Sequence, residues 1–168
     1  MTTLTRFTTE FSAEQDRIQL IGEDGTGGHR VLWLTQRLLN RLVSHLSKGL
    51  EQRLPDTAAG EIRRSFAQQA AAAALTPQAP VRPTGQPTEA LVHIVNVSNT
   101  PAATVLTFNG ASGEVLARLV LAPTLLHQWL GILHGKYLQA GWPTTVWPNW
   151  LEEAQRRQRA QARSGALH

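Results

Sequence analysis

Four prolines fall within thirteen residues, Thr76–Thr88 (TPQAPVRPTGQPT). Each proline lacks an amide donor and disfavours helix in the residue before it. No helix and no central strand can run through this stretch. The chain therefore reads as a first unit over residues 1–75, a proline-rich linker over 76–89, a second unit over 90–148, and a basic tail or exposed helix over 149–168. Such a linker is expected to be extended and mobile.

In the first unit, Thr3–Phe11 reads as a strand. Arg17–Glu23 and Arg30–Leu34 flank the turn signal DGTGG at Asp24–Gly28 and form a hairpin. Thr35 is placed to cap a helix from about Gln36 to Arg53. Its stripe is Leu38, Leu39, Leu42, Val43, Leu46 and Leu50, and Pro55 ends it. Asp56 is a candidate N-cap for a second helix. There Ile62, Phe66 and Ala70 share a narrow apolar face suited to packing on the first helix.

The second unit alternates through Ala90–Val97, then Thr104–Phe108, the turn NGASG, and Glu114–Leu121. Pro123 suits the first turn of a helix. Leu125, Leu126, Trp129, Leu130, Leu133 and Tyr137 mark its stripe, ending near Gly141, with Trp129 a core residue. Both units run strand, strand, glycine turn, strand, helix. At an offset of 87, Leu32 and Leu34 meet Leu119 and Leu121, and Leu46 meets Leu133. The expected class is α+β: an antiparallel sheet packed on one face by helices. It is readable as two tandem β-β-β-α units with pseudo-twofold symmetry, an internal repeat.

Charge is unevenly spread. Residues 90–148 carry only Arg118, Lys136 and Glu114. Interface centres are depleted in charge, so a partner or a second copy covering part of this unit is one expectation. A surface of Thr, Asn, Ser, Gln and His is the other. The net charge of +4 is too modest to indicate a dense nucleic-acid face.

Chemistry-bearing motifs are missing. The chain has no cysteine, which excludes disulfides, thiolate zinc and cysteine nucleophiles. His127 and His134 stand seven apart, off the spacing of helical zinc ligands, and read as rim histidines. No metal and no cofactor is expected. Neither glycine turn precedes a helix, so neither cradles phosphate. No serine lies in a GxSxG context.

Two features point to binding. WPTTVWPNW holds Trp142, Trp147 and Trp150, which read either as partner anchors or as rings closing the core. Arg156, Arg157, Arg159 and Arg163 in the tail are candidate phosphate contacts. The expected function is a non-enzymatic accessory or adaptor protein acting through protein–protein contacts, as a homodimer, other homo-oligomer or complex subunit. A nucleic-acid-binding regulator using the arginine tail is the alternative. An enzyme or ligand binder with a site between the halves is a third reading. No apolar run approaches a membrane span and MTTLTRFTTEF has no signal-peptide core. The expectation is no membrane partner and a cytoplasmic location.

Overall fold

The stretch expected as one strand over Ala90–Val97 changes sheets halfway. In the computed structural model, which describes residues 2–166, Thr88–Leu91 (β4) joins one sheet and Ile94–Asn99 (β5) begins another. The first sheet has the order β1-β2-β3-β4, with β1 at Leu4–Ser12, β2 at Arg17–Asp24 and β3 at His29–Leu34. The second is β5-β6-β7, with β6 at Thr104–Asn109 and β7 at Val115–Leu121. All neighbours are antiparallel except β3 and β4, which run parallel. The class is α+β as expected, but the single antiparallel sheet is replaced by two, one of them mixed.

Two links tie the sheets together. Val92 N donates to Trp33 O in the first sheet (3.0 Å) and His93 N to Asn109 O in the second (2.9 Å). On the far side Thr3 bridges Arg118 in parallel, and Arg118 N donates to Thr2 O at 2.8 Å.

Local chemistry sets the element ends. Asp24 Oδ1 accepts from Thr26 N (2.8 Å) and Gly28 N (2.9 Å), and Gly27 supplies the φ of +85° that this turn needs. The Thr26 and Gly28 bonds hold the Asp24 carboxyl below its ordinary value. Thr35 Oγ1 caps Gln36–Glu51 (α1) by accepting from Leu38 N. The second helix, Ala58–Ala74 (α2), is capped by Thr57 and not by Asp56: Thr57 Oγ1 accepts from Gly60 N at 3.1 Å. Pro123–Ala140 (α3) starts on its proline and stops at Gly141, whose φ is +70°. Asn149–Ala166 (α4) completes the described chain, so the basic region is a helix. Residues 167–168 of the expected tail lie outside the described residues.

One hydrophobic cluster unites the inner faces. Ile18, Leu20, Leu32 and Leu34 come from the first sheet and Leu106, Phe108, Leu119 and Leu121 from the second. The stripes of α1 and α3 join them. Trp129 is fully buried, as expected, and its Nε1 donates to Thr9 Oγ1 at 3.1 Å. The two halves thus share one core, and the first sheet takes β4 from the end of the linker and the start of the second unit. No described helix is long and apolar enough to cross a membrane.

Gly60 sits where a Cβ would clash with the backbone oxygen of Pro55. Gly60→Ala is expected to lower unfolding free energy by about 1–3 kcal/mol in urea denaturation, the cost of forcing a methyl into a filled site.

Candidate interaction surfaces

Helix α2 is turned opposite to its hydrophobic pattern. Ile62 and Phe66 are 55% and 60% exposed, and Ala70 is exposed with them. The side it buries is Gly60, Arg64, Ser65, Gln68 and Ala71, and it packs on α4 and α3 rather than on α1. This corrects the expected stripe. The physical reason lies in polar pairing. Gln68 Nε2 donates to His127 O (2.8 Å) and to Gln155 Oε1 (3.1 Å), and its Oε1 accepts from His127 Nδ1 at 2.8 Å. Gln128 Nε2 reaches Ala71 O at 3.0 Å. Arg64 donates to Glu51 O, one of the free carbonyls at the C-terminal end of α1. Small residues and satisfied amides let the helices approach closely, and the large apolar side chains are left outside.

Beside Ile62 and Phe66 a groove of about 230 Å³ opens between α2 and α4. Its rim carries Glu61, Glu153 and Arg157, so both signs of charge are present. Arg157 is paired with Glu153 one turn earlier on α4.

A second groove, about 430 Å³, lies between α1 and β5. Leu38, Arg41, Leu42 and His45 form one wall. The other is the run His93–Val97, whose consecutive residues alternate between sheet faces, so the strand edge itself is open. Among the described residues β5 pairs only with β6. The outer face of this sheet is bare as well, with Ile94, Asn96, Ser98 and Val120 all exposed.

The outer face of the first sheet is closed by the proline-rich segment. Val81 is buried against Ile21, Val31 and Trp33. Val81 N donates to Thr8 Oγ1 at 2.8 Å, Arg82 pairs with Glu10 at 3.3 Å, and Arg6 donates to Ala79 O at 3.2 Å. The segment is extended as expected, but it is docked along the sheet and is not a free linker.

The tryptophans correct a further expectation. Trp142, Trp147 and Trp150 are 7%, 3% and 3% exposed, so in this fold they are core residues and not surface anchors. Pro143 and Pro148 stiffen the segment as it folds back over α3. Trp142 stacks edge-on with Phe11 and Tyr137 and donates to Asp16 Oδ1 at 2.9 Å. Trp147 meets Tyr137 and His134 edge-on, and Trp150 donates to Glu51 Oε1 at 3.2 Å. Only the margin of Trp150 borders the groove beside α2. Arg156, Arg157, Arg159 and Arg163 are exposed on α4. Spacing identified Ile62, Phe66 and Ala70 as one face of α2 but assigned it to the core, whereas the apolar period there marks the outside.

His134 is not a rim residue, whereas His127 is half-buried. His134 is 1% exposed, and its Nε2 donates to Glu152 Oε2 at 3.4 Å. Burial pulls its pKa down, against a smaller upward pull from Glu152. Burial also lowers His127, with help from the charge of Arg53. Burial pushes the Tyr137 hydroxyl far above its ordinary range, and that hydroxyl donates to Asn40 Oδ1 at 2.7 Å. Among the described residues no three His, Asp or Glu side chains gather to hold a metal. No family model, curated protein or solved structure matches this chain.

Both histidines are harder to protonate in the fold than in the unfolded chain, so the unfolded chain binds more protons once the pH drops through about 6.5. Their stabilising contribution is complete above that value and is lost as the pH falls through the lower folded values. The thermal midpoint is expected to decline between pH 7 and pH 5.5, with a shallower decline in His134→Gln. An equal slope in both proteins would show that His134 has no part in it.

Proposed function

We propose that the protein is a non-enzymatic accessory or adaptor protein of the cytoplasm that works through protein–protein contacts and associates with itself through α2. The observation that carries this reading is the outward pair Ile62 and Phe66 on a helix whose polar side is buried. Scattered exposed apolar residues are ordinary, but two large ones a helical turn apart beside a groove form a patch suited to a partner. The partner argued for is a second copy. Glu61, Glu153 and Arg157 at the rim let a twofold axis set acid against base. The buried use of Tyr137, His134 and the tryptophans agrees with a scaffold role for these groups.

The same reading takes the halves as one unit written twice. Gln68 and Gln155, 87 residues apart, hydrogen-bond to each other, as equivalent residues beside a pseudo-twofold axis do. The parallel pairing of β3 with β4 has a counterpart in the parallel bridge from Arg118 of β7 to Thr3.

The test is native mass by size exclusion with light scattering across a range of concentrations. The expected result is a concentration-dependent dimer that Phe66→Glu converts to a folded monomer. Trp147→Ala is expected instead to cost about 3–5 kcal/mol of stability, as a core truncation does. A wild-type monomer at every concentration would remove the self-association reading. The exposed Arg156, Arg159 and Arg163 recur at helical spacing and favour the nucleic-acid alternative. Salt-sensitive binding of a single-stranded oligonucleotide, abolished by changing these three to Glu, would put that alternative in its place.

A further inference from the structure

We propose that the groove between α1 and β5 is a docking site for an acidic, extended peptide segment of another protein, added as a strand to the free edge of β5. The proposal rests on the protein-contact reading and names a second surface, separate from α2.

Three observations carry it. First, β5 has a neighbour on one side only, and His93–Val97 line the groove as an unbroken run. Unpaired N–H and C=O groups along a strand edge are a template for another strand. Five residues at about 3.3 Å each present an edge long enough for a short segment.

Second, the charge in the groove has one sign. Arg41 is its only permanently charged side chain, and His45 and His93 are its other titratable groups. No carboxylate lines it. Two copies meeting edge to edge across a twofold would bring two Arg41 guanidiniums into one seam with no lining carboxylate to pair them. That arrangement disfavours a second copy here, in contrast to the mixed rim beside α2. A segment carrying Asp or Glu on one face and small apolar residues on the other matches Arg41 and the Leu38 and Leu42 wall together.

Third, the fold already docks an extended segment on the face of its first sheet and adds β4 in parallel along the edge of β3. Residues 79–82 lie along the first sheet, with Val81 seated among apolar side chains and Arg82 and Arg6 supplying polar contacts. Among the described residues no such segment covers the second sheet, and its outer residues Ile94 and Val120 are 49% and 44% exposed. A nucleic-acid strand fits less well, since no Phe, Tyr or Trp side chain lines the groove to stack a base.

The probes are fluorescein-labelled peptides of alternating Val and Glu, the matching Val and Lys peptide, and a single-stranded oligothymidine. Binding is read by anisotropy on the full chain, and its location by amide hydrogen exchange. The acidic peptide is expected to saturate and to slow exchange across residues 93–97. Arg41→Glu and His93→Glu, both at exposed positions, are expected to weaken it at least tenfold while circular dichroism is unchanged. Failure of the acidic peptide to bind overturns the site. So does equal binding of the basic peptide, protection elsewhere, or competition by oligothymidine. The mass of Phe66→Glu is read separately. If the peptide fails while that variant still loses self-association, the β5 site falls and the protein-contact reading stands.

Discussion

The step from Val92 to His93 holds the molecule together. At Val92 the backbone still bonds to β3, and at His93 it bonds to β6. One short peptide therefore belongs to both sheets, and the Thr3–Arg118 bridge joins them again on the opposite side. The inner faces of both sheets, with α1 and α3, then enclose a single apolar cluster. Apolar burial is the dominant favourable term in folding, and it is cooperative when one core is shared. The tryptophans follow from the same constraint. A core bounded by sheets and helices still has an open end, and the segment from Trp142 to Trp150 closes it with three large rings.

Helix α2 lies outside this enclosure and obeys different physics. Its buried side is held by amide pairing through Gln68 and by the reach of Arg64 to the end of α1. A buried amide left without partners is costly, whereas an exposed Phe costs only its unrealised burial. Once Gln68 is paired, rotating α2 to hide Phe66 would strand that amide. The outward apolar pair is therefore a stable feature of the monomer, and a partner that removes it from water gains without reorganising the helix.

Much of the architecture was legible in the sequence. The hairpin of β2 and β3 was announced by alternation and DGTGG, α1 by its leucine stripe and Thr35, and α3 by Pro123 and its stripe through Tyr137. Less was legible at the surfaces. Ile62 and Phe66 show helical spacing, and spacing cannot state which side of a helix meets the core. Val81 lies among prolines that forbid regular structure, and nothing local indicates the sheet it docks on. The tryptophan cluster fits core and interface equally well by residue type. Its burial depends on where the open end of the core falls.

Periodicity, turn residues and proline positions act over a few neighbours, so the chain by itself determined most of its elements and the α+β class. Sheet membership at Val92 and His93, the orientation of α2, the docking of Val81 and the open edge of β5 depend on contacts between residues far apart in sequence. Gln68 meets Gln155 and Trp129 meets Thr9 only after the whole chain has closed on one core. Tertiary structure alone decided them, because packing and polar satisfaction are properties of the assembled surfaces and not of any local segment.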